Sequence, residues 1–430
     1  MRLDNALLVR ASLALLAPLA LVSFQPAQAA RWIKCTPTTV SVDGAPPAAA
    51  QNPIAFALRQ AAPGATIELA AGDYPGFMLG FDNKNDASNA PISGGTPAEP
   101  IVVRGGVGVR VVPAGRGDTI AICQQITCGY VRFEELSIVP GPRAGVIFYR
   151  SGPGQVHRGF SFHDCDILGE FDHARQSGPS SKWGVSAHQI ADFEWKGVRR
   201  ASRVENIKEE HAFYLQNTVG DVTIENVEAR RLGRTFVQLV ARSHEGPAAS
   251  GTVAIRNCKI DDACIAEGDG YKGGSAITVA GTGEQCTVRI EGNVVRAGHE
   301  AALRKLTRAG EPYGSGACVV WDGGDARGNG TVIVRRNEFA FAPGCGDRPL
   351  ASFAACRELV LDGNVFRVGN TKVAALALDP RDEFGRPKSK PNGKVALGAA
   401  NTLAGALEAA GTLYGENPAA ALEKLHGQGR

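Results

Sequence analysis

Short apolar segments with polar residues at alternate positions recur along most of the chain. An apolar-x-apolar-x-polar pattern with a period of two is typical of strands that bury one face. The repeats begin at Val131, Phe160, Val222, Val253, Val288, Val332 and Leu359, and the last three carry one extra residue before an Asn. A second apolar segment follows each after a corner of variable length, as at 145–150 and 275–280. The pattern predicts stacked coils of strands.

The variable spacing of these repeats excludes a helical repeat array, which would keep a constant length and a period of 3.6. A right-handed parallel β-helix fits, because each coil adds about 4.8 Å of strand stacking and tolerates loops of any length. Asparagines that recur at one corner are expected to stack as an amide ladder. The proposed members are Asn206, Asn226, Asn257, Asn293, Asn337 and Asn364. The predicted fold class is all-β, a right-handed parallel β-helix solenoid.

Both ends of the predicted solenoid differ from its middle. Residues 52–62 space Ile54, Phe56 and Leu58 as in a short amphipathic helix, which Pro63-Gly64 ends. Residues 397–426 are rich in Ala, Leu and Glu and predict one or two helices. The expected organisation is a lead-in and N-terminal capping helix over 31–62, a β-helix over 63–370, and a C-terminal loop and helical segment over 371–430.

The first thirty residues have the pattern of a cleaved signal peptide. Arg2 and Arg10 precede an apolar run over 11–24, and Ala27-Gln28-Ala29 is a small-x-small cleavage site. The apolar run is too short to span a bilayer, so no membrane span is predicted, and an N-terminal anchor is the alternative. We therefore expect a secreted or periplasmic protein.

Composition narrows the class of partner. The 53 Gly and two Met suit a turn-rich, helix-poor chain. A formal net charge of +3 gives no basic excess that would predict nucleic acid binding.

Ten Cys permit disulfides in an exported protein, with Cys123–Cys128 and Cys345–Cys356 close enough to pair, and buried free thiols are the alternative. We expect a monomer.

Residues 203–242 contain what looks like one repeat twice, and they hold the candidate chemistry. Within them His211 and Lys208 are candidate bases, because an imidazole titrates near neutrality and a lysine pKa is readily lowered. Tyr214 is a candidate acid. The structural alternative is that these residues only support a corner or pack against the next coil.

Substrate contacts are predicted from the same stretch. Arg234 and Arg242 are candidates for gripping a carboxylate, because a guanidinium binds one bidentately. Gln216 and Gln238 fall at similar positions in neighbouring strands and would bind hydroxyls, or form a second polar ladder. Further residues lie at or beside second strands and would line a groove against sugar rings. These are Arg150, Trp183, His188 and Trp321.

Metal signals are weak. No Cys/His cluster has zinc spacing. Asp261, Asp262, Glu267 and Asp269 offer oxygen ligands for Ca²⁺ but lack a recognisable loop spacing, and surface charge is the preferred interpretation. The cofactor requirement stays unknown.

A family resemblance rests on three groups of residues. These are ALRQAAPGATIELAAGDYPG (57–76), the frames ENV, RNC, GNV, RNEF and GNVF, and EEHAFYLQN (209–217). Over roughly residues 52–370 the chain resembles the pectate-lyase-like superfamily of right-handed parallel β-helices. That resemblance implies lyases and epimerases of uronate polysaccharides, glycoside hydrolases, or non-catalytic surface proteins.

Two subfamilies sharpen the comparison. The segment EEHAFYLQN is similar to the histidine-bearing corner of bacterial alginate C5-epimerases, whose Asp-Pro-His-Asp motif is absent here. Lyases of the chondroitinase-B type use a Lys and an Arg on successive coils. The corresponding positions here resemble Gln216 and Gln238 or Arg242, so the Lys is missing.

These observations favour an exported lyase that cleaves an acidic, uronate-containing polysaccharide by β-elimination. A uronate C5-epimerase shares the proton abstraction and is the first alternative. A non-catalytic glycan-binding or envelope protein is the second. Hydrolysis ranks lower, because Asp172, Glu194 and Glu210 show no evident carboxylate pair.

Overall fold

The structure is a computed structural model. It describes residues 31–414 except 93, 116, 124, 126–127, 150–154, 176, 243–245, 264–274, 299–315, 324–327, 343–348, 369–372, 380–388, 399 and 410–411.

The described elements are one helix and many short strands. The N-terminal third contains β1 Trp32–Cys35, β2 Thr39–Val42, β3 Ala48–Ala49, α1 Pro53–Gln60, β4 Thr66–Leu69, β5 Gly72–Pro75, β6 Phe77–Leu79, β7 Asn89–Ala90, β8 Ile101–Arg104, β9 Val109–Val112, β10 Asp118–Ile122, β11 Gly129–Glu134, β12 Ser137–Ile138 and β13 Ala144–Phe148. The middle contains β14 His157–His163, β15 Asp166–Leu168, β16 Trp183–His188, β17 Ile190–Ala191, β18 Phe193–Lys196, β19 Ser202–Ile207, β20 Phe213–Gln216, β21 Val222–Glu225, β22 Val227–Leu232, β23 Val237–Val240, β24 Gly251–Arg256, β25 Lys259–Ile260 and β26 Ser275–Ala280. The C-terminal part contains β27 Gly283–Glu291, β28 Val294–Ala297, β29 Gly316–Trp321, β30 Asn329–Arg335, β31 Glu338–Phe341, β32 Ala351–Phe353, β33 Cys356–Asp362, β34 Val365–Arg367, β35 Ala374–Leu378, β36 Lys394–Leu397, β37 Thr402–Ala404, β38 Ala406–Ala409 and β39 Thr412–Tyr414.

Three long sheets stack these strands coil upon coil, which confirms the predicted parallel β-helix. Sheet A has 15 strands, from β3-β2-β1-β4-β8 through β21-β24-β27 to β33-β36. Sheet B has 11 strands, from β5-β9 to β34-β37, and sheet C has 13, from β7-β6-β10 to β38-β39. The pairings between successive coils are parallel, so each strand is hydrogen-bonded to the equivalent strand of the next coil.

A left-handed residue makes the tight corner from sheet A to sheet B. Such a corner reverses direction in one or two residues, which favours Gly, Asn or Asp. Asn226 and Asn257 occupy this position at φ 52° and 54°, and Gly292 and Gly363 do so at 66° and 63°. The extra residue seen before the later Asn repeats is therefore this corner residue.

The predicted amide ladder forms one residue beyond that corner. Asn293 Nδ2 donates to Asn337 Oδ1 at 2.9 Å, and Asn337 Nδ2 donates to Asn364 Oδ1 at 2.9 Å. Asn364 Nδ2 in turn donates to Asn401 Oδ1 at 3.0 Å. Asn401 was not among the predicted members. The ladder satisfies buried backbone groups at each turn, as at Ile290 O.

Three predicted ladder members lie elsewhere, and that part of the prediction is wrong. Asn226 and Asn257 hold the corner position itself. Asn206 lies in sheet B at φ 59°, where its strand pairs Glu205 with Arg230. The two apparent repeats within 203–242 are therefore offset, because the first begins in sheet B and the second in sheet A.

Replacing Asn337 by alanine is expected to lower the free energy of unfolding by about 3 kcal/mol, since buried partners above and below lose a hydrogen bond each. Glu338→Gln is the control, because that side chain forms only an exposed ion pair with Arg367 and should change stability by less than about 1 kcal/mol. Urea titration of both variants measures the difference, and equal losses would show that the ladder is not a stabilising element.

Aromatic side chains stack inside the N-terminal half of the core. Ring centroids lie 4.8 Å apart for Phe133 and Phe162, and 4.6 Å apart for Phe162 and Trp195, on three adjacent strands of sheet A. Trp195 is fully buried in this stack.

The helix predicted at the N-terminus is present, whereas the described part of the predicted C-terminal helical region is not helical. At the N-terminus the predicted helix is present as α1, with Asn52 Oδ1 accepting from Ala55 N at 3.0 Å as its N-cap. Within the predicted C-terminal helical region, however, the described residues form β37, β38 and β39, which continue the sheets. That helix prediction is wrong for residues up to 414, because alanine-rich strands also pack against a solenoid end. The rest of the predicted helical region, residues 415–426, lies outside the described residues.

The eight cysteines that the structure describes are all free thiols. Cys123 and Cys128 are not bonded to each other, so that suggested disulfide is wrong, and Cys345 lies outside the described residues. Burial raises the pKa of Cys35 and Cys128 to about 12, which leaves both as unreactive core thiols. The alternative of buried free thiols is confirmed for the described cysteines except Cys123, which is a free but partly exposed thiol.

Candidate active surface on sheet C

The outer face of sheet C collects polar and aromatic side chains from adjacent coils. Register pairs Ser186 with Tyr214 and Tyr214 with Gln238, so these three lie in one row along the solenoid. A parallel row holds His188, Gln216, Val240, Ala280 and Trp321. Because coils repeat at about 4.8 Å, neighbours in a row are close enough to contact one ligand.

An aromatic cluster forms the centre of this face. The Tyr214 ring stacks on Trp183 with centroids 6.2 Å apart and on His211 at 5.5 Å. His188 contacts the same ring edge-on at 6.2 Å. The Tyr214 hydroxyl donates to Gln216 Oε1 at 3.1 Å. The phenol is thereby fixed in direction between an indole and two imidazoles.

Charged groups border the cluster on one side. Glu210 accepts from Trp183 Nε1 at 2.9 Å and pairs with Lys182 Nζ at 3.2 Å. Lys182 also lies 4.7 Å from the centroid of the Trp183 ring. Burial, followed by the positive charges of Arg234 and Lys182, lowers the pKa of His211 to about 3. This side of the face therefore combines two cations, Lys182 and Arg234, with the Glu210 carboxylate that pairs with Lys182.

The geometry does not suit His211 as the base, although sequence favoured it. Its side chain is only 2% exposed and lies stacked on the Tyr214 ring. His188 is half-buried and adjoins the same phenol. The accessible imidazole of this face is therefore His188, which sequence placed among the binding residues.

A second buried histidine lies behind His188. His157 Nε2 contacts the carbonyl of Tyr149 at 2.7 Å, so we assign the proton to Nε2. Burial, followed by the charge of His188, lowers the pKa of His157 to about 3. The ring is neutral over the physiological range and packs edge-on against Phe148 at 5.5 Å.

Stability is expected to fall with acidification because of these buried imidazoles. A folded pKa of about 3, below the ordinary 6.5, means that the unfolded state takes up the proton first as pH falls. His157 contributes stability that is complete above pH 6.5, is reduced by roughly 2 kcal/mol at pH 5 and is lost towards pH 3. His157→Gln keeps the donor to Tyr149 but does not titrate. Urea titrations should show wild type losing stability relative to this variant between pH 7 and pH 5, and parallel losses would contradict the assignment.

Next to the cluster, a pocket of about 370 Å³ opens towards the N-terminal end of sheet C. Phe77, Met78 and Phe81 form its apolar wall. Asp118 accepts from Arg143 Nε at 2.8 Å, from Arg143 Nη2 and from the Tyr149 hydroxyl at 2.7 Å. Burial raises the pKa of Asp118, against the opposing effect of Arg143. Sequence did not indicate Asp118 or Arg143 as a pair, because the corners that bring them together have no fixed length.

Comparison with known proteins adds a distant structural likeness. No family model matches the chain, and no curated protein matches it. Among solved structures, an alginate lyase from Paenibacillus sp. str. FPU-7 shares 15% sequence identity, with a TM-score of 0.47. The match covers 80% of this chain and 97% of that chain. A likeness at this level transfers neither a substrate nor a residue role, so the site is argued from its own geometry.

The structure brings several predicted residues together on this face and separates others. The cluster unites His211, Tyr214, Gln216, Trp183 and His188. Trp321 is 40% exposed in the row of His188, four coils further on, or roughly 19 Å away.

The two glutamines do not occupy similar positions. Gln216 pairs with Val240, and Gln238 pairs with Tyr214. That prediction is wrong, because the repeats of the sequence were aligned two residues out of register. The two amides nevertheless lie on the same outer face, since side chains two positions apart share one side of a strand.

Three predicted residues fall outside the cluster. Lys208 lies at the corner before sheet C, with Nζ 4.9 Å from the Phe171 ring centroid. The exposed Arg242 follows β23, and its backbone N–H donates to Asn217 Oδ1 at 3.2 Å. Arg150, and Glu245 as a partner of Arg242, lie outside the described residues.

Asp261, a candidate Ca²⁺ ligand in the sequence, has a different role in the structure. Asp261 faces two guanidinium groups, with Arg230 Nε at 3.9 Å and Arg296 Nε at 3.8 Å, which makes it an ion-pair residue. Glu267 and Asp269 lie outside the described residues. In the part of the chain that the structure describes, no group of three His, Cys, Asp or Glu side chains is arranged to hold a metal ion.

Among the described residues, no two carboxylates are paired on sheet C as hydrolysis would need. Glu194 lies on sheet A, where it binds His163 at 3.1 Å and Lys196, and these contacts lower its pKa. Glu210 lies at the edge of sheet C.

In the described chain, no helix is long and apolar enough to cross a membrane.

Proposed function

We propose that the protein is a polysaccharide lyase that cleaves a uronate-containing glycan by β-elimination on the outer face of sheet C. The single observation that carries the proposal is the cluster in which His188 and Trp183 surround the phenol of Tyr214 on two adjacent coils. It supplies the imidazole base and the phenolic acid that this reaction requires.

The reaction needs three functions at one place. A base removes the proton from C5 of the uronate, and the electron pair of that bond forms the C4=C5 double bond. The bond from C4 to the glycosidic oxygen then breaks. An acid protonates that leaving oxygen, and a positive or hydrogen-bonding group stabilises the developing charge on the carboxylate. No water is consumed, and the new non-reducing end is unsaturated.

Each function has a candidate on this face. His188 takes the C5 proton through its half-buried imidazole. Tyr214 protonates the leaving oxygen, for which its hydroxyl turns its proton from Gln216 Oε1, the acceptor at 3.1 Å in the free protein, towards the substrate. Lys182 and Arg234 are the cations proposed to bind the uronate carboxylate, for which Lys182 would leave its ion pair with Glu210. Gln238, beside Tyr214 on the next coil, is placed to bind a sugar hydroxyl.

Trp183 gives the face its affinity for sugar. Its ring stacks on Tyr214 and lies beneath the Lys182 ammonium, which fixes the indole plane. Pyranose rings present apolar C–H faces that pack on such indoles. Trp321 offers a second exposed indole at the far end of the same row.

The test is a screen of the purified protein against alginate, pectate and glycosaminoglycans, with ultraviolet absorbance of unsaturated uronates as the readout. An increase in this absorbance together with shorter chains is the expected result. An altered epimer ratio without new double bonds would assign the C5-epimerase reaction. Binding of the polymers without any chemical change would assign a non-catalytic glycan-binding role, and both results would overturn the lyase proposal.

A further inference from the structure

The pocket beside the cluster has the composition of a ligand site. At about 370 Å³ it falls in the range of small-molecule pockets, which are mostly apolar with a few fixed polar groups. Its polar groups are the triad of Asp118, Arg143 and Tyr149, and its wall is Phe77, Met78 and Phe81. Neither the base nor the acid of the proposed reaction belongs to it.

The triad decides which ligands the pocket accepts. A guanidinium binds a carboxylate through two parallel N–H bonds, and Arg143 already gives its Nε and Nη2 to the two oxygens of Asp118. The Asp118 side chain is only 4% exposed, so the pair is fixed from below. An incoming carboxylate would have to displace Asp118 and would meet its negative charge. The arrangement therefore disfavours a uronate.

An uncharged, hydroxylated ring need not displace Asp118 and is not repelled by its negative charge. The pair is neutral as a whole, and among the described residues the lining includes no other charged group. Sugar hydroxyls can donate to a carboxylate oxygen, and they can donate to or accept from a phenol. Phe81 and Tyr149 stand edge to face, with centroids 5.7 Å apart, and offer the apolar surface on which a pyranose packs.

The pocket also adjoins the proposed reaction site. Strand register pairs Phe148 with Ala187, which places Tyr149 and His188 at equivalent positions on adjacent coils. The distance between such positions is about 4.8 Å. A chain bound along sheet C would therefore place one sugar in the pocket and a neighbouring sugar at His188.

We propose that this pocket is a subsite for a neutral sugar residue, so that the glycan is a heteropolysaccharide in which neutral residues accompany the uronate. The inference rests on the proposed function for the uronate at His188. The pocket itself is independent of catalysis. The ligand is selected by Arg143, whose guanidinium is already neutralised by the carboxylate of Asp118.

Binding is tested by calorimetry with the methyl glycosides of glucose, galactose and mannose, and with methyl glucuronoside as the charged counterpart of the glucoside. At least one neutral glycoside should bind, and the uronoside should bind at least about tenfold more weakly than the glucoside. Tighter binding of the uronoside, or no binding of any neutral glycoside, would overturn the subsite.

Three variants locate the binding. Phe81→Ala should weaken the neutral glycoside by about tenfold, the equivalent of one lost aromatic contact. Trp32→Ala is the control, because that indole is exposed on sheet A and its loss should change nothing. Asp118→Asn removes the negative charge and should raise the affinity of the uronoside relative to the glucoside. Unchanged binding in Phe81→Ala would place the glycoside elsewhere and contradict the proposal.

The two proposals fail separately. His188→Ala should abolish cleavage while the pocket still binds the neutral glycoside. A protein that binds the neutral glycoside in the pocket but cleaves none of the polymers would overturn the lyase proposal and leave the subsite intact. Cleavage without any neutral-glycoside binding would do the reverse.

Discussion

His188→Ala is expected to lower kcat for polysaccharide cleavage by about 10²- to 10⁴-fold, the usual contribution of a positioned general base. The fold should survive, because His188 is half-buried and its row includes small residues such as Ala280. Tyr214→Phe should cause a loss of similar size, since it removes the proton donor and leaves the ring stack in place. Initial rates of unsaturated-uronate formation measure both effects.

His163→Ala provides the matched control. That imidazole lies on the outer face of sheet A, where it contacts Glu194 at 3.1 Å, so it is a surface histidine on another wall of the same solenoid. Its removal should leave the rate unchanged. If His188→Ala retained activity comparable to His163→Ala, the base would have to lie elsewhere.

Trp195→Ala is expected to lower the free energy of unfolding by about 3–5 kcal/mol, the typical cost of truncating a buried aromatic. Trp195 is fully buried, and its ring lies between Phe162 at 4.6 Å and Phe213 at 5.5 Å. Removing it leaves a cavity that bridges two coils. Urea titration followed by circular dichroism gives the free energy difference.

Trp195→Phe separates loss of packing from loss of a hydrogen bond. The indole Nε1 is buried without a hydrogen-bond partner, so phenylalanine removes an unsatisfied donor and keeps most of the stack. Its loss should be well below that of alanine, at about 1–2 kcal/mol. Equal losses for the two variants would show that the aromatic stack does not stabilise this part of the solenoid.

The solenoid could be predicted from sequence because one local rule repeats. Strands of sheet A such as β21 alternate buried with partly exposed residues, as in Val222 and Ile224 against Thr223 and Glu225. The tight corner needs a positive φ, which favours asparagine, so Asn226 and Asn257 mark it, although Glu135 and Arg336 occupy it on other coils. Both signals depend on neighbours in the sequence, and variable loops leave them intact.

Register between coils could not be predicted, and the errors at the site follow from it. Sequence aligned Gln216 with Gln238, whereas the sheet pairs Gln216 with Val240. It favoured His211 over His188, because burial beneath Tyr214 depends on how two coils stack. The pairing of Asp118 with Arg143 likewise depends on two corners of unrelated length. Which side chains of adjacent coils meet depends on how the coils stack. The sequence of a single coil does not specify that stacking.

The central claim is that the outer face of sheet C binds and cleaves the glycan. A crystal structure of His188→Ala with an uncleaved oligosaccharide of the polymer that the wild type cleaves tests it most directly. The chain should lie along sheet C, with a uronate over Trp183 and Tyr214, its C5 facing position 188, and a neutral ring against Phe81. An oligosaccharide bound along sheet A or sheet B, or a uronate carboxylate seated on Arg143 in place of Asp118, would contradict the account.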